Sequence, residues 1–317
     1  LEYLLLIIGF GLLIKGADYF VDGASNIARL LKIPSILIGL TIVAFGTSSP
    51  EATVSIIASF EGNADVALGN VIGSNIFNLT AVVGIAAFIY PLKVETETIR
   101  KEIPFTLLAS AVLLVLMSDV MLEGLSGNFI TRSDGLVFLL FFAIFMYYVI
   151  EVAFKSRENM KDELIPEGVT WGKNILITLL GLVGIVFGGD LVVSNATEIA
   201  YQWGMSETLV GLTIVAVGTS LPELVTSITA ALKKESEIAL GNIVGSNIFN
   251  ILFVLGAASA ISPLAVDNKV FMDVIIMMVL TVLLLVFSRT NFRVGKREGL
   301  ILAISYVVYL AYIILRN

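Results

Sequence analysis

Residues 38–51 read IGLTIVAFGTSSPE, and residues 210–223 read VGLTIVAVGTSLPE. The same offset of 172 residues returns with ALGNVIGSNIFN at 67–78 and ALGNIVGSNIFN at 239–250. A fainter pair, Gly16-Ala17-Asp18 and Gly188-Gly189-Asp190, keeps it too. Three matches in one register identify an internal duplication, because independent convergence does not preserve spacing. Each copy sets Thr, Ser, Pro and Glu in the middle of an apolar run. That combination is costly in lipid unless it serves a function.

The surrounding composition supplies the lipid. Of the 317 residues 57% are hydrophobic and 14% charged, with a mean hydropathy of +0.98. Apolar stretches of spanning length recur along the chain, which is the pattern of a polytopic helical membrane protein. Residues 1–15 lack a basic leading segment, and their continuation aligns with 173–200, so they read as part of a span and not as a cleaved leader. There is no Cys and no His, which removes disulfides, thiolate sites and imidazole ligands together. An intramembrane enzyme would need a nucleophile–base pair or a catalytic Asp pair, so that class is disfavoured.

Glycines, prolines and charge clusters divide the chain into ten expected spans, near 2–27, 35–59, 65–90, 103–119, 134–154, 172–199, 207–232, 237–261, 270–288 and 298–315. Five spans per half force the copies to cross in opposite directions. The expected fold is therefore all-α, with ten transmembrane helices in two inverted five-helix repeats broken at the midplane. Residues 1–154 form the first repeat, 155–171 a cytoplasmic connecting loop and 172–317 the second repeat. Of the 19 Lys and Arg residues, fifteen then fall on one side, three (Arg132, Lys269 and Arg316) on the other, and Lys15 within a span. The positive-inside rule makes the first side cytoplasmic and both termini extracytoplasmic, in a plasma (inner) membrane.

Within Gly46-Thr47-Ser48-Ser49-Pro50-Glu51, Pro50 has no N–H, so the carbonyl of Gly46 loses its helical donor. A helix broken at mid-membrane is tolerated where its carbonyls face protein or a polar cavity. Thr47 and Ser48 add hydroxyl oxygens, and Glu51 follows Thr47 at i+4. Gly218, Thr219, Ser220, Pro222 and Glu223 repeat the arrangement. Antiparallel copies would gather two carboxylates, four hydroxyls and freed carbonyls into an all-oxygen site for a hard cation. Two carboxylates neutralise one Ca2+ or two Na+. A lone Ser/Thr-Pro is ordinarily a kink and a lone Glu ordinarily a protonated, hydrogen-bonded acid. Two Glu at equal distances from two helix breaks argue against both readings.

The second phrase adds Ser74 and Asn78, which are i, i+4 neighbours, and Ser246 and Asn250 in the other copy. These four are read as site-lining, while Gly69, Gly73, Gly241 and Gly245 are read as close-packing positions. Asn70, Asn75, Asn242 and Asn247 stay open between lining and packing. Asp18 and Asp190 read as capping or interhelical groups, and Lys15 as a snorkelling or carboxylate-paired side chain.

The phrases GTSSPE and GTSLPE, each followed by GNxxGSNIFN, resemble the two α-repeats of the calcium/cation antiporter superfamily, and above all its prokaryotic Na+/Ca2+ exchanger branch. The resemblance covers the whole chain, with a short loop where animal exchangers carry a large cytoplasmic insertion. It implies a core of spans 2, 3, 7 and 8 holding four cation sites in a diamond, with the long spans 1 and 6 sliding past. It implies a Ca2+ position at Glu51, Glu223 and the backbone of Thr47 and Thr219. Na+ positions would use Ser48, Ser74, Ser220, Ser246 and the carbonyls of Ala44 and Ala216, and Asn78 and Asn250 match the remaining polar positions. K+-dependent relatives carry Asp where this chain has Asn250, so no K+ requirement is expected. The resulting expectation is a secondary antiporter exchanging Na+ for Ca2+ by alternating access. Ca2+ and Na+ are its substrates; no cofactor, nucleic acid or obligate protein partner is expected. A Ca2+/H+ antiporter is the nearest alternative, and a cation channel a more distant one.

Overall fold

A computed structural model describes residues 1–159, 169–205 and 216–316. Nearly all of it is helix, and chain breakers set the boundaries. The first helix, Glu2–Leu31, ends where Lys32 turns left-handed (φ 57°), and Pro34 caps the next segment. Among the described residues, seven helices are long and apolar enough to cross a membrane: Glu2–Leu31, Ala64–Ile89, Arg132–Arg157, Trp171–Gln202, Ser236–Ile261, Asn268–Arg289 and Lys296–Arg316. Ser35–Thr47 and Ser49–Phe60, bent by 50° at their junction, make an eighth if counted as one span.

Two of the ten expected spans are not among these eight. The fourth is continuous helix, a π-helical turn Thr98–Glu102 running into Ile103–Leu116, and so starts before its expected first residue. The seventh contains Ala216–Gly218 and the 12-residue Leu221–Leu232, and its earlier part lies outside the described residues. The polar stretch expected as a loop from residue 155 starts as helix. Helix continues to Asn159, where a Glu151–Lys155 i, i+4 ion pair at 2.5 Å supports it beyond the apolar run, and resumes at Trp171.

Burial grades from centre to rim. The helices carrying the GNxxGSN phrase are innermost: the apolar window of Ser236–Ile261 is 94% buried and that of Ala64–Ile89 78%, against 17% for Arg132–Arg157 and Lys296–Arg316. Side chains such as Leu140, Tyr147, Val307 and Val308 on the outer two are exposed, as a lipid-facing surface requires. The first helix and Trp171–Gln202 lie side by side at backbone contact. A Cβ on Gly16 would stand 2.7 Å from the Ile185 nitrogen, and one on Gly181 2.5 Å from the Phe20 nitrogen. Two short antiparallel ribbons tie loops of the two halves together, Leu92–Lys93 to Arg293–Val294 and Phe129–Ile130 to Leu264–Ala265.

Asp18 and Asp22 of the first helix make interhelical pairs, and Lys15 pairs within its own helix. Lys233 places its ammonium 2.7 Å from Asp18 and 2.7 Å from Asp22, and Lys15 lies 3.7 Å from Asp18. Asp190, the counterpart of Asp18, is exposed.

Candidate cation-binding site

The repeated motif interrupts its helix at the serine. Ser48 leaves helical geometry (φ −83°, ψ 9°), and the next helix starts at Ser49 with Pro50 in its first turn. Ser220 does the same (φ −91°, ψ 8°) before Leu221 and Pro222. Proline suits this position, since the first-turn N–H groups have no partner within the helix. Glu51 and Glu223 therefore stand in the first turn of their helices, where the positive end of the macrodipole favours a carboxylate. Both are wholly buried.

Each carboxylate is gripped by the other copy. The Ser48 hydroxyl donates to Glu223 Oε1 at 2.8 Å, and the Ser220 hydroxyl donates to Glu51 Oε1 at 2.9 Å. The other oxygen of each pair, Glu51 Oε2 and Glu223 Oε2, is buried without a hydrogen-bond partner. So are Ser74 Oγ, Ser246 Oγ, Asn78 Oδ1 and Asn250 Oδ1. These six atoms form three pairs related by the 172-residue offset. Buried polar atoms without partners are rare, and a paired set of oxygens around two carboxylates has the donor chemistry of a hard-cation site.

The orphaned amide oxygens are aimed by their own nitrogens. Asn78 Nδ2 donates to Asn247 Oδ1 and Asn250 Nδ2 to Asn75 Oδ1, both at 3.2 Å, which leaves each Oδ1 free. Asn75 Nδ2 in turn donates to the Asn247 carbonyl at 3.2 Å. Both helices widen here into π-helical turns, Asn78–Val82 and Phe249–Leu255, a distortion common at functional sites. Asn75 and Asn247 thus orient the lining amides, a role that their spacing left open.

Asn70 and Asn242 are a second such pair. Thr47 Oγ1 donates to Asn242 Oδ1 at 2.9 Å, and Thr219 Oγ1 donates to Asn70 Oδ1 at 3.3 Å. The Ala44 carbonyl accepts the Ser48 N–H at 2.9 Å. Ala216 begins the helix Ala216–Gly218, next to residues outside those described. Gly241 and Gly245 do pack at contact distance, with a Cβ on Gly245 2.7 Å from Leu40 Cα and one on Gly241 2.8 Å from Gly39 Cα, whereas Gly69 and Gly73 do not, since a Cβ on either meets nothing within 4 Å. The two copies are locked together beside the oxygens.

Among the described residues no group of three or more Asp, Glu, His or Cys could hold a metal, so the site has two carboxylates and otherwise neutral oxygens. A cavity of about 630 Å³ reaches it, lined by Asn70, Ser74 and Thr219 on the site side and by Asp267, Asp273 and Arg316 toward one face. Neither glutamate lines the cavity.

Comparisons with known proteins give the family. The family model described as sodium/calcium exchanger protein matches residues 1–151 and 173–315, so the match is split at the polar connector. The putative antiporter CaxA of Alkalimonas amylolytica is 40% identical over 96% of this chain and 95% of its own length. The sodium/calcium exchanger MaX1 of Methanosarcina acetivorans is 34% identical over 98% and 97%. The solved sodium–calcium exchanger NCX_Mj superposes with a TM-score of 0.83 at 30% identity, covering 98% of each chain. With a lipid-facing rim, a repeated oxygen site and these relatives, the chain belongs to the sodium/calcium exchanger family of the calcium/cation antiporter superfamily, a family of multi-pass membrane antiporters and not of enzymes.

Proposed function

We propose that this protein exchanges Na+ for Ca2+ across the plasma membrane by alternating access, moving Ca2+ outward as Na+ enters. The observation that carries the reading is the set of six orphaned buried oxygens around Glu51 and Glu223, each carboxylate held by a serine from the other copy. Ca2+ is held between the two carboxylates with the backbone of Thr47 and Thr219. Na+ occupies flanking positions at Ser48, Ser74, Ser220, Ser246, Asn78, Asn250 and the carbonyls of Ala44 and Ala216. Two adjacent carboxylates repel each other when the site is empty, and either one Ca2+ or two Na+ neutralises them. The Glu51 and Glu223 oxygens thus serve both ions, and cannot serve both at once. Competition therefore couples the two fluxes, without any covalent step.

The halves 1–154 and 172–317, joined by 155–171, act as inverted five-span repeats, so ten spans cross the membrane with both termini outside. The reciprocal bonds at the 172-residue offset support a two-fold relation between the copies, and an odd number of spans per half sets that axis in the membrane plane. The cavity beside Arg316 then opens to the outside. A Ca2+/H+ antiporter uses the same fold. The neutral hydroxyl and amide oxygens flanking the carboxylates favour Na+, since they coordinate an alkali cation and carry no transferable charge. Glu51→Gln and Glu223→Gln test the assignment in proteoliposomes: each should abolish exchange, and normal Ca2+ transport by either variant would refute it.

A further inference from the structure

Beside the oxygens assigned above to Ca2+ and Na+ stand the amides of Asn70 and Asn242, each engaged through both its oxygen and its nitrogen. Asn242 is wholly buried. Its Oδ1 accepts the Thr47 hydroxyl from the first copy at 2.9 Å. Its Nδ2 donates to the Glu223 carbonyl at 3.4 Å and to Ser227 Oγ at 3.0 Å, both in the second copy. Asn70 mirrors each bond, taking Thr219 at 3.3 Å and donating to the Glu51 carbonyl at 3.1 Å and Ser55 Oγ at 2.9 Å. Each asparagine is a strap from the hydroxyl of one copy to the glutamate-bearing helix of the other.

The strap on Thr47 has a consequence for a neighbouring oxygen. A threonine hydroxyl has one hydrogen, and three acceptors lie within reach of Thr47: Asn242 Oδ1 at 2.9 Å, the Val43 carbonyl at 3.1 Å and the Ala44 carbonyl at 3.3 Å. Without Asn242 the hydroxyl turns back on its own helix, as threonine in a helix ordinarily does. The Ala44 carbonyl already accepts one N–H, from Ser48 at 2.9 Å, so a second donor would occupy its remaining lone pair.

We infer that Asn242 and Asn70 are positioning residues for Na+, keeping the threonine hydroxyl hydrogen away from the carbonyl that a monovalent ion needs while leaving the carboxylate pair intact. The inference rests on the exchange reading above. It separates the two substrates, because both ions draw on Glu51 and Glu223 whereas the Ala44 and Ala216 carbonyls are assigned to Na+ alone. Asn70, half-buried on the cavity wall, acts at the side open to solvent, and Asn242 acts at the closed side.

The test is ion binding by the full chain in detergent, read as the shift in melting temperature during NaCl titration against choline chloride and, separately, CaCl2 titration. Asn242→Ala should raise the half-saturating Na+ by about fivefold, the equilibrium factor of one hydrogen bond, and move the Ca2+ value by less than about twofold. Thr47→Val combined with Asn242→Ala should add nothing further to the Na+ shift, since the asparagine acts through that hydroxyl. If Asn242→Ala does not fold, Asn70→Ala carries the same comparison through Thr219. Equal shifts for both ions, or none for either, would reduce the straps to packing and overturn the inference. A wild-type chain that Na+ does not stabilise would overturn the exchange reading, and the inference with it.

Discussion

Replacing Glu223 by Gln should separate the cation role of the carboxylate from its structural role. The substitution keeps the shape of the side chain, and the amide oxygen can still accept the 2.8 Å bond from Ser48. It removes one charge from a wholly buried pair. At an effective dielectric constant of about 20, a unit charge and a divalent ion about 4 Å apart interact by roughly 8 kcal/mol before desolvation. If about a quarter of that survives desolvation, Ca2+ binding weakens by about 2 kcal/mol, or roughly 30-fold. At Ca2+ near 100 times the wild-type dissociation constant, binding stabilises the wild type by about 2.7 kcal/mol and the variant by about 0.9 kcal/mol. In melting temperature the Ca2+-induced gain falls from about 5 °C to under about 2 °C. Without Ca2+ the variant should melt no lower than wild type, since a repulsive buried charge has gone. The assay is a thermal melt in detergent with and without Ca2+. A Ca2+-induced gain equal to that of wild type would refute the assignment of Glu223 to the ion.

Four further outcomes follow from the packing and hydrogen bonding. Ser48→Ala strips the donor from Glu223 Oε1 and should weaken ion binding by about tenfold or more, since hydrogen bonds to charged groups contribute about 1.5–3 kcal/mol; titration calorimetry reads it. Gly245→Ala would set a Cβ 2.7 Å from Leu40 Cα and should lower stability by about 1–3 kcal/mol, whereas Gly11→Ala, with nothing within 4 Å, should be neutral or slightly stabilising; comparative melts decide it. Lys233→Ala breaks the pairs to Asp18 and Asp22, which are partly exposed, so the loss should stay below about 1 kcal/mol and shrink with added salt. Exchange measured in K+-free solution should equal that with K+, because Asn250 supplies no third carboxylate.

The duplicated phrases made the centre of the molecule legible because each carries its chemistry at a fixed spacing. Glu51, Ser74 and Asn78 and their counterparts are buried, and a helix break with proline just beyond it is a local event that sequence records directly. Long-range pairing is a different matter. That Ser48 would grip Glu223, 175 residues away, and not Glu51 nearby depends on how the copies interlock, which no local period encodes. Asn70 and Asn242 were left undecided for the same reason, since their three partners lie on two different elements. The one available signal was that both follow a glycine at the same place in each copy. The π-helical turns at Asn78–Val82 and Phe249–Leu255 answer to tertiary packing and leave no mark on the apolar pattern. The helix running on to Asn159 shows a charged i, i+4 pair prolonging a span that hydropathy alone would end sooner.

The central claim is that a Na+ gradient drives Ca2+ across the membrane through this chain. Purified protein in liposomes loaded with Na+ should take up 45Ca2+ when diluted into Na+-free medium, while matched liposomes carrying only a pH gradient should not. Uptake driven by protons and indifferent to Na+ would contradict the account and make the protein a Ca2+/H+ antiporter on the same fold.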